Sequence, residues 1–310
     1  MKLGIVVPCY NESQVLPETA TRLLDLLTRL VKADKIEEGS RIWFVDDGSR
    51  DHTWEIIEEL HRVDRRCAGV KLSRNRGHQN ALLAGLHIAD GDAVATLDAD
   101  LQDDIDVVEA MIDAHGQGND VVYGVRRARD ADTAFKRLTA TAYYTLLRAM
   151  GVDVVYNHAD CRLMSRQAIE CLKQFREVNL FLRGIVPLIG LRSTTIHYDR
   201  GPRHAGESKY PLPKMLLFAI EGITSFSAAP LRLITVLGLL VSLSSILGAL
   251  WVLLVRLLAE NPALGWASTV LPVYFLGGVQ LFSIGIVGEY LAKIYMEIKD
   301  RPRYFIEKLL

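Results

Sequence analysis

Nothing in this chain of 310 residues points to a disulfide framework or a thiolate metal site. Its four cysteines, Cys9, Cys67, Cys161 and Cys171, form no CxxC pair, and three of them lie inside apolar runs. Buried, reduced thiols are expected. Excess charge of either sign is also missing, with 36 Lys and Arg against 37 Asp and Glu. That balance gives no support for a broad nucleic-acid-binding surface and makes any phosphate site local. The sequence has no G-x-G-x-x-G after its first apolar run and no G-x-x-x-x-G-K-[ST] anywhere. Neither a dinucleotide fingerprint nor a Walker loop is therefore available. Repeats and low-complexity tracts are absent, which sets aside solenoid and linker architectures. At the amino terminus, Met1-Lys2 runs into Leu3–Pro8 and then polar Asn11-Glu12 without a signal-peptide core. This part is expected to stay in the cytoplasm.

What the chain does have falls into two parts suited to different solvents. No charged residue occurs between Arg232 and Arg256, nor between Glu260 and Glu289. A bilayer-crossing helix needs about 20 apolar residues, and a central charge costs roughly 2.5 kcal/mol or more. Two membrane spans are predicted. Glycines at 277, 278, 285 and 288 in the second run suit close helix contact, within the pair or in a homo-oligomer. The tail carries Lys293, Lys299, Arg301, Arg303 and Lys308, whereas the loop from Leu257 to Thr269 has no Lys or Arg. Both termini should thus face the cytoplasm, making a multi-pass protein of the inner (plasma) membrane. Ahead of the first span, Leu216, Ile220 and Ile223 share one helical face and Lys214, Glu221 and Ser225 another. This helix either lies in the headgroup plane or packs on the globular part. The organisation read from the sequence is a globular domain at 1–211, an amphipathic helix at 212–231, a two-helix hairpin at 232–292 and a basic tail at 293–310.

Within the globular part, Leu3–Tyr10, Arg41–Val45, Gly69–Leu72 and Ala93–Leu97 are short apolar runs rich in β-branched residues. Helical patterns alternate with them at Val15–Val31, Thr53–Val63 and Val107–Ala114. The alternation predicts an α/β fold with a mostly parallel sheet. Ligands of such sheets sit beyond the carboxyl ends of the strands. The polar clusters there, Asn11-Glu12, Asp46–Ser49, Arg74–Gly77 and Asp98–Asp104, are expected to converge on one crevice. Glu12 and either Asp46 or Asp47 could accept hydrogen bonds from a base N–H and ribose hydroxyls. Asp98, Asp100 and Gln102, two apart in an extended segment, could present oxygens to one side and hold Mg²⁺ or Mn²⁺ on a diphosphate. Asp103 and Asp104 read as first-turn acids of the next helix.

Taken in order, Pro8-Cys9-Tyr10-Asn11-Glu12, Val45–Thr53, Ser73–Leu82 and Leu97–Gln102 resemble the blocks of an inverting family 2 glycosyltransferase of GT-A fold. Together with Arg203–Tyr210 they resemble the dolichyl-phosphate mannose synthase branch, and the two closing spans are similar to those of its bacterial bactoprenol-phosphate glucosyltransferases. The resemblance implies that a nucleotide diphosphate sugar donates one sugar, glucose from UDP first among the candidates, to polyprenyl phosphate. Mannose from GDP-mannose is an alternative. It also implies a nucleotide-sugar site at Pro8, Tyr10, Glu12, Asp46, Asp47, Arg74, Asn75, Gln79, Asp98 and Ala99, with the metal at Asp100 and Gln102. Arg126, Arg137, Thr141 and Ser208 take the positions of the acceptor-phosphate contacts. Arg203 and Lys209 take those of a loop closing over the diphosphate, and a basic loop beside a membrane would equally attract anionic lipid. Asp160 corresponds to the base of relatives with hydroxyl acceptors, or here orients the sugar or acceptor. A processive polysaccharide synthase is disfavoured because no glutamine begins a QxxRW motif. A non-catalytic scaffold is disfavoured because all the acids are kept.

Overall fold

The computed structural model describes residues 1–126, 158–178, 181–199, 228–258 and 266–310. The expected amphipathic helix thus lies, up to residue 227, outside the described residues. The chain divides into two units, one holding residues 1–148, 153–211 and 301–310, the other residues 149–152 and 212–300.

The first unit is built on an eight-stranded sheet. Its strands are β1 (Leu3–Cys9), β2 (Arg41–Asp46), β3 (Cys67–Leu72), β4 (Ala93–Thr96), β5 (Val121–Arg126), β6 (His158–Ser165), β7 (Ser193–Tyr198) and β8 (Ile306–Leu309). Their order is β7-β5-β6-β4-β1-β2-β3-β8. Strands β4, β1, β2 and β3 are parallel neighbours. The central β1, LGIVVPC, is buried along its whole length, as an unbroken apolar run between two covered faces must be. Helices α1 (Leu16–Lys32), α2 (Thr53–Val63), α3 (His78–Ile88) and α4 (Val107–Gly116) alternate with these strands. The strands and helices expected from the sequence are present, with ends shifted by one or two residues.

Gly85 explains why α3 lies so close to the sheet. A Cβ there would come 2.3 Å from Val6 Cγ1 and 2.9 Å from Val45 Cγ2. Only glycine lets the helix rest on β1 and β2 at that distance.

Two antiparallel strands change the reading of the fold. Strand β6 runs against both β4 and β5, with Thr96 opposite Arg162. Its amino-terminal residues therefore arrive at the rim where β1, β2 and β4 leave their carboxyl ends. Helices α5 (Arg166–Leu172) and α6 (Leu182–Leu188) follow it. At the far edge, β8 pairs antiparallel with β3. The Leu310 N–H donates to the Gly69 carbonyl at 2.8 Å, and Arg303 Nη2 donates to the Phe175 carbonyl at 2.7 Å. The segment read as a basic tail thus divides, its last ten residues being counted with the first unit.

In the second unit, α7 (Ala229–Leu258) and α8 (Trp266–Ile298) have 30 and 33 residues, enough to cross a bilayer. Their most apolar windows, Ala229–Gly248 and Phe275–Ile298, bury no residue. Leu239, Leu247, Trp251 and Phe282 are among the exposed side chains. Core helices of a water-soluble domain would hide such surface, so these helices are suited to lipid. A Cβ at Gly277, Gly278, Gly285 or Gly288 would meet nothing within 4 Å.

Candidate functional site

The motif loops lock onto one another before they offer anything to a ligand. The Asn11 N–H donates to Ser49 Oγ at 3.0 Å, and the Arg50 N–H donates back to Asn11 Oδ1 at 2.8 Å. The Glu12 N–H meets Thr53 Oγ1 at 2.9 Å, while its carbonyl accepts from Val15 and Leu16 at the start of α1. Asp51 accepts from the N–H groups of Ser13 and Thr53, each at 3.1 Å. Burial opposes the effect, but these bonds hold its carboxyl below the ordinary range.

Asp46 and Asp47 differ in what already engages them. Asp47 accepts from the Arg76 N–H at 2.7 Å through Oδ1 and from the Gly77 N–H at 2.8 Å through Oδ2. It clamps the loop that leads into α3. Gly48, at φ 66°, makes that clamp possible, since a Cβ would come 2.6 Å from the backbone of Arg74 and Asn75. Asp46 is wholly buried, accepts from the Ser49 N–H at 3.2 Å through Oδ1, and keeps a buried Oδ2 with no hydrogen-bond partner. Burial pushes both carboxyls up. Asp46 is the one with acceptor capacity left over.

A second cluster gathers where β4, β6, α3 and α6 meet. His78, the first residue of α3, stands with Nε2 3.6 Å from Asp98 Oδ1 and 3.5 Å from Asp160 Oδ2. Asp160 Oδ1 also accepts from Arg162 Nη2 at 3.0 Å. Arg183 embraces the same carboxylate, with Nε 3.2 Å from Oδ1 and Nη2 3.1 Å from Oδ2. Although burial works against it, His78, Arg183 and Arg162 hold the Asp160 carboxyl well below the usual carboxylate range. Asp98 shows the opposite. Burial and the neighbouring Asp160, Asp103 and Asp100 push its pKa up to about 6, against the pull of His78. Its Oδ1 is buried without a hydrogen-bond partner.

The extended arrangement expected for Asp98, Asp100 and Gln102 is corrected here. Strand β4 ends at Thr96, Leu101 is left-handed at φ 53°, and Asp100 Oδ1 folds back on the Gln102 N–H at 3.1 Å. A turn presents the three side chains, because the aspartate competes with the ladder for backbone N–H groups. Ala99 is buried, and its carbonyl accepts from Thr19 Oγ1 of α1 at 2.8 Å. Among the described residues no three His, Cys, Asp or Glu side chains form a metal site by themselves. The donor set nevertheless fits Mg²⁺ or Mn²⁺, which take a few carboxylate oxygens and complete their shell with phosphate and water. The orphaned, acid-crowded oxygen of Asp98 is the observation that favours a cation.

Asp103 and Asp104 precede α4 rather than forming its first turn. Asp104 Oδ1 accepts from the Asp106 N–H at 3.0 Å. Asp103 is buried and takes Arg126 in a two-point pair, with Nε and Nη2 each 3.0 Å from an oxygen. That pair lies at the end of β5, and Arg126 Nη2 reaches 3.9 Å from Asp98. Gln79 Oε1 accepts from the Leu182 N–H at 2.8 Å and so ties α3 to α6. Pro8 is buried in β1, while Tyr10, Arg74 and Asn75 are exposed at the rim. Arg137, Thr141, Arg203, Ser208 and Lys209 lie outside the described residues. His78, Arg162 and Arg183 are not singled out by the sequence, and Asp103 reads there only as a first-turn acid. His78 sits inside a motif block and Arg162 two residues from Asp160, but Arg183 carries no local signal.

Residues 4–173 match the glycosyl transferase family 2 pattern. An uncharacterized glycosyltransferase of Bacillus subtilis, YkoT, is 48% identical over 307 residues, covering 98% of this chain and 91% of its own. A prophage-derived bactoprenol glucosyl transferase of Shigella flexneri is 40% identical over 312 residues, covering 99% of this chain and 98% of its own. Among solved structures, mannosyl-3-phosphoglycerate synthase from Rubrobacter xylanophilus superposes with a TM-score of 0.50 at 16% identity, over 71% of each chain. That likeness is one of fold.

Proposed function

The chain belongs to glycosyl transferase family 2, and from that premise we propose that it moves one sugar, glucose from UDP-glucose first, onto undecaprenyl phosphate at the cytoplasmic face of the inner membrane. One observation carries this reading. The similarity to bactoprenol glucosyl transferases extends through both long apolar helices instead of stopping with the sheet.

The residues supply a consistent chemistry. The unpaired Oδ2 of Asp46 suits a base N–H, because a buried acceptor without a partner costs about 1–3 kcal/mol until one arrives. Asp98, Asp100 and Gln102 would hold the donor diphosphate through Mg²⁺ or Mn²⁺. Such a cation supplies charge neutralisation as the nucleotide diphosphate departs. Asp160, gripped by two guanidinium groups, has little affinity for a proton and is poorly suited as a base. A phosphate acceptor does not need one, since it is already ionised at neutral pH, and a single in-line displacement inverts the anomeric carbon. Asp160 then orients rather than deprotonates. Arg203 and Lys209 are assigned to closing over the diphosphate, and Arg137, Thr141 and Ser208 to the acceptor, by resemblance alone. The glycines of α8, which face open space, suit a homo-oligomer.

The direct test is incubation of the full-length protein in membranes with radiolabelled UDP-glucose, undecaprenyl phosphate and Mg²⁺ or Mn²⁺, followed by organic extraction. Label in the lipid phase, abolished in Asp100→Ala, is expected. Insoluble polymer, or no transfer from any UDP- or GDP-sugar, would overturn the reading. Transfer from GDP-mannose alone would overturn only the choice of sugar.

A further inference from the structure

One polar residue lies on the buried face of α1. That face is otherwise made of Leu16, Ala20, Leu23, Leu26, Leu27 and Leu30, and Thr19 sits among them 1% exposed. A hydroxyl in such a place needs an acceptor. Thr19 has two within reach. Its Oγ1 stands 3.0 Å from the Val15 carbonyl one turn back, and 2.8 Å from the Ala99 carbonyl, 80 residues away in the chain. The first contact is open to a threonine in any helix. The second belongs to this fold, and it ends in the middle of the Asp98–Gln102 turn.

That turn needs support from outside. Strand β4 has ended at Thr96, and the Leu97 N–H still donates to the Val6 carbonyl at 3.0 Å. Leu101 then takes its left-handed conformation, which an L side chain rarely adopts and which persists only where the surroundings hold it. Asp98 and Asp100, two apart, repel each other until a cation joins them. Helix α1 holds this stretch at two points. Arg29 pairs with Asp106, but those side chains are 57% and 58% exposed, and an exposed pair contributes little. Thr19 makes its contact in the core, at buried Ala99. The amino end of the same helix is fastened to the other half of the site. There the N–H groups of Val15 and Leu16 donate to the Glu12 carbonyl, and the Glu12 N–H donates to Thr53 beyond the loop that follows Asp46. One helix thus sets the spacing between Asp46 and the acidic turn.

We propose that Thr19 is a positioning residue for the divalent cation: its hydroxyl, fixed on the Ala99 carbonyl, keeps the turn in the shape that lets Asp98, Asp100 and Gln102 grip a cation on the donor diphosphate. The inference rests on the transfer reading above and deepens it. Thr19 acts through the turn, as a hydrogen bond that holds the carboxylates ready before the cation arrives.

The test measures UDP binding by calorimetry to the full-length protein in detergent, once in EDTA and once with Mn²⁺, for wild type, Thr19→Val and Thr19→Ser. Mn²⁺ should tighten UDP binding to wild type. Valine keeps the shape of the side chain but takes the donor away from the Ala99 carbonyl. The gain from Mn²⁺ is therefore expected to shrink about tenfold, while the affinity in EDTA stays within about twofold of wild type. Serine keeps the hydroxyl and should restore most of the gain. An unchanged gain in Thr19→Val would overturn the proposal even if that variant melts lower, because the bond would then serve stability alone. Equal falls with and without Mn²⁺ would overturn it too, since the loss would then lie in the nucleotide site, as would a serine variant no better than valine. Should Thr19→Val not fold, Thr19→Ala is judged by the same ratio. Wild type that gains nothing from Mn²⁺ or Mg²⁺ with either UDP or GDP would instead sink the metal-dependent transfer reading, and the proposal with it.

Discussion

Asp98 and Asp160 both approach Nε2 of one histidine, at 3.6 and 3.5 Å, yet their environments drive them apart. Asp160 meets two guanidinium groups, whereas Asp98 keeps a buried oxygen without a hydrogen-bond donor. The consequence for stability has a definite sign. A carboxyl whose pKa rises to about 6 on folding binds a proton more tightly in the native state. Its contribution is present below the unfolded value and is lost as pH rises from about 4 to 6. Asp98→Asn is therefore expected to abolish transfer, yet to melt at a higher temperature than wild type at pH 7 without ligand. The difference should disappear near pH 4. Melting curves across that range check it, and equal melting temperatures at pH 7 would show that Asp98 is not strained.

At the scale of elements, α3 links packing to chemistry. Its Gly85 touches Val6 and Val45, and its first two residues are His78 and Gln79. Gly85→Ala should lift the helix and destabilise the first unit by about 1–3 kcal/mol, the usual effect of overpacking. Transfer should fall beyond what the lost stability explains, because His78 shifts with the helix. Denaturant titration and kcat on the same preparation separate the two effects. Strand β8 is the second such element. It covers the edge of β3, with Lys71 and Glu307 paired at 3.0 Å and Tyr304 Oη 2.9 Å from His87 Nδ1. Burial pushes His87 down to about 4, so it is neutral at physiological pH and can accept from the tyrosine hydroxyl. A chain ending at Pro302 should lose those contacts and bare an unpaired edge. Lower thermal stability and greater aggregation are expected, with membrane insertion retained. A truncated chain as stable and monodisperse as the full one would make β8 dispensable.

For the whole molecule, the connectivity is the decisive fact. The chain leaves the sheet-bearing unit, runs through two long apolar helices, and returns to add a strand to the same sheet. An even number of crossings is the simplest way to satisfy that path, which agrees with the basic tail and the Lys- and Arg-free loop. Tags at both termini should be cleaved by external protease only in inverted vesicles. A cysteine introduced between residues 259 and 265 should react only from the opposite side. Termini on opposite faces would refute the hairpin. The sequence by itself determined the parts governed by local rules. Alternating apolar runs and helical patterns gave β1 to β4 and helices α1, α2 and α4, the uncharged stretches gave the two long helices, and the polar clusters gave the places of the motif loops. Tertiary structure decided what depends on residues far apart in the chain. Strand β6 runs antiparallel and brings Asp160 beside Asp98, α6 supplies Arg183, Asp47 is occupied by a loop, and Arg126 is taken by Asp103. Periodicity records which face of a segment is buried, but strand direction and ion-pair choice follow from packing the whole sheet at once, and no short window of sequence contains that information.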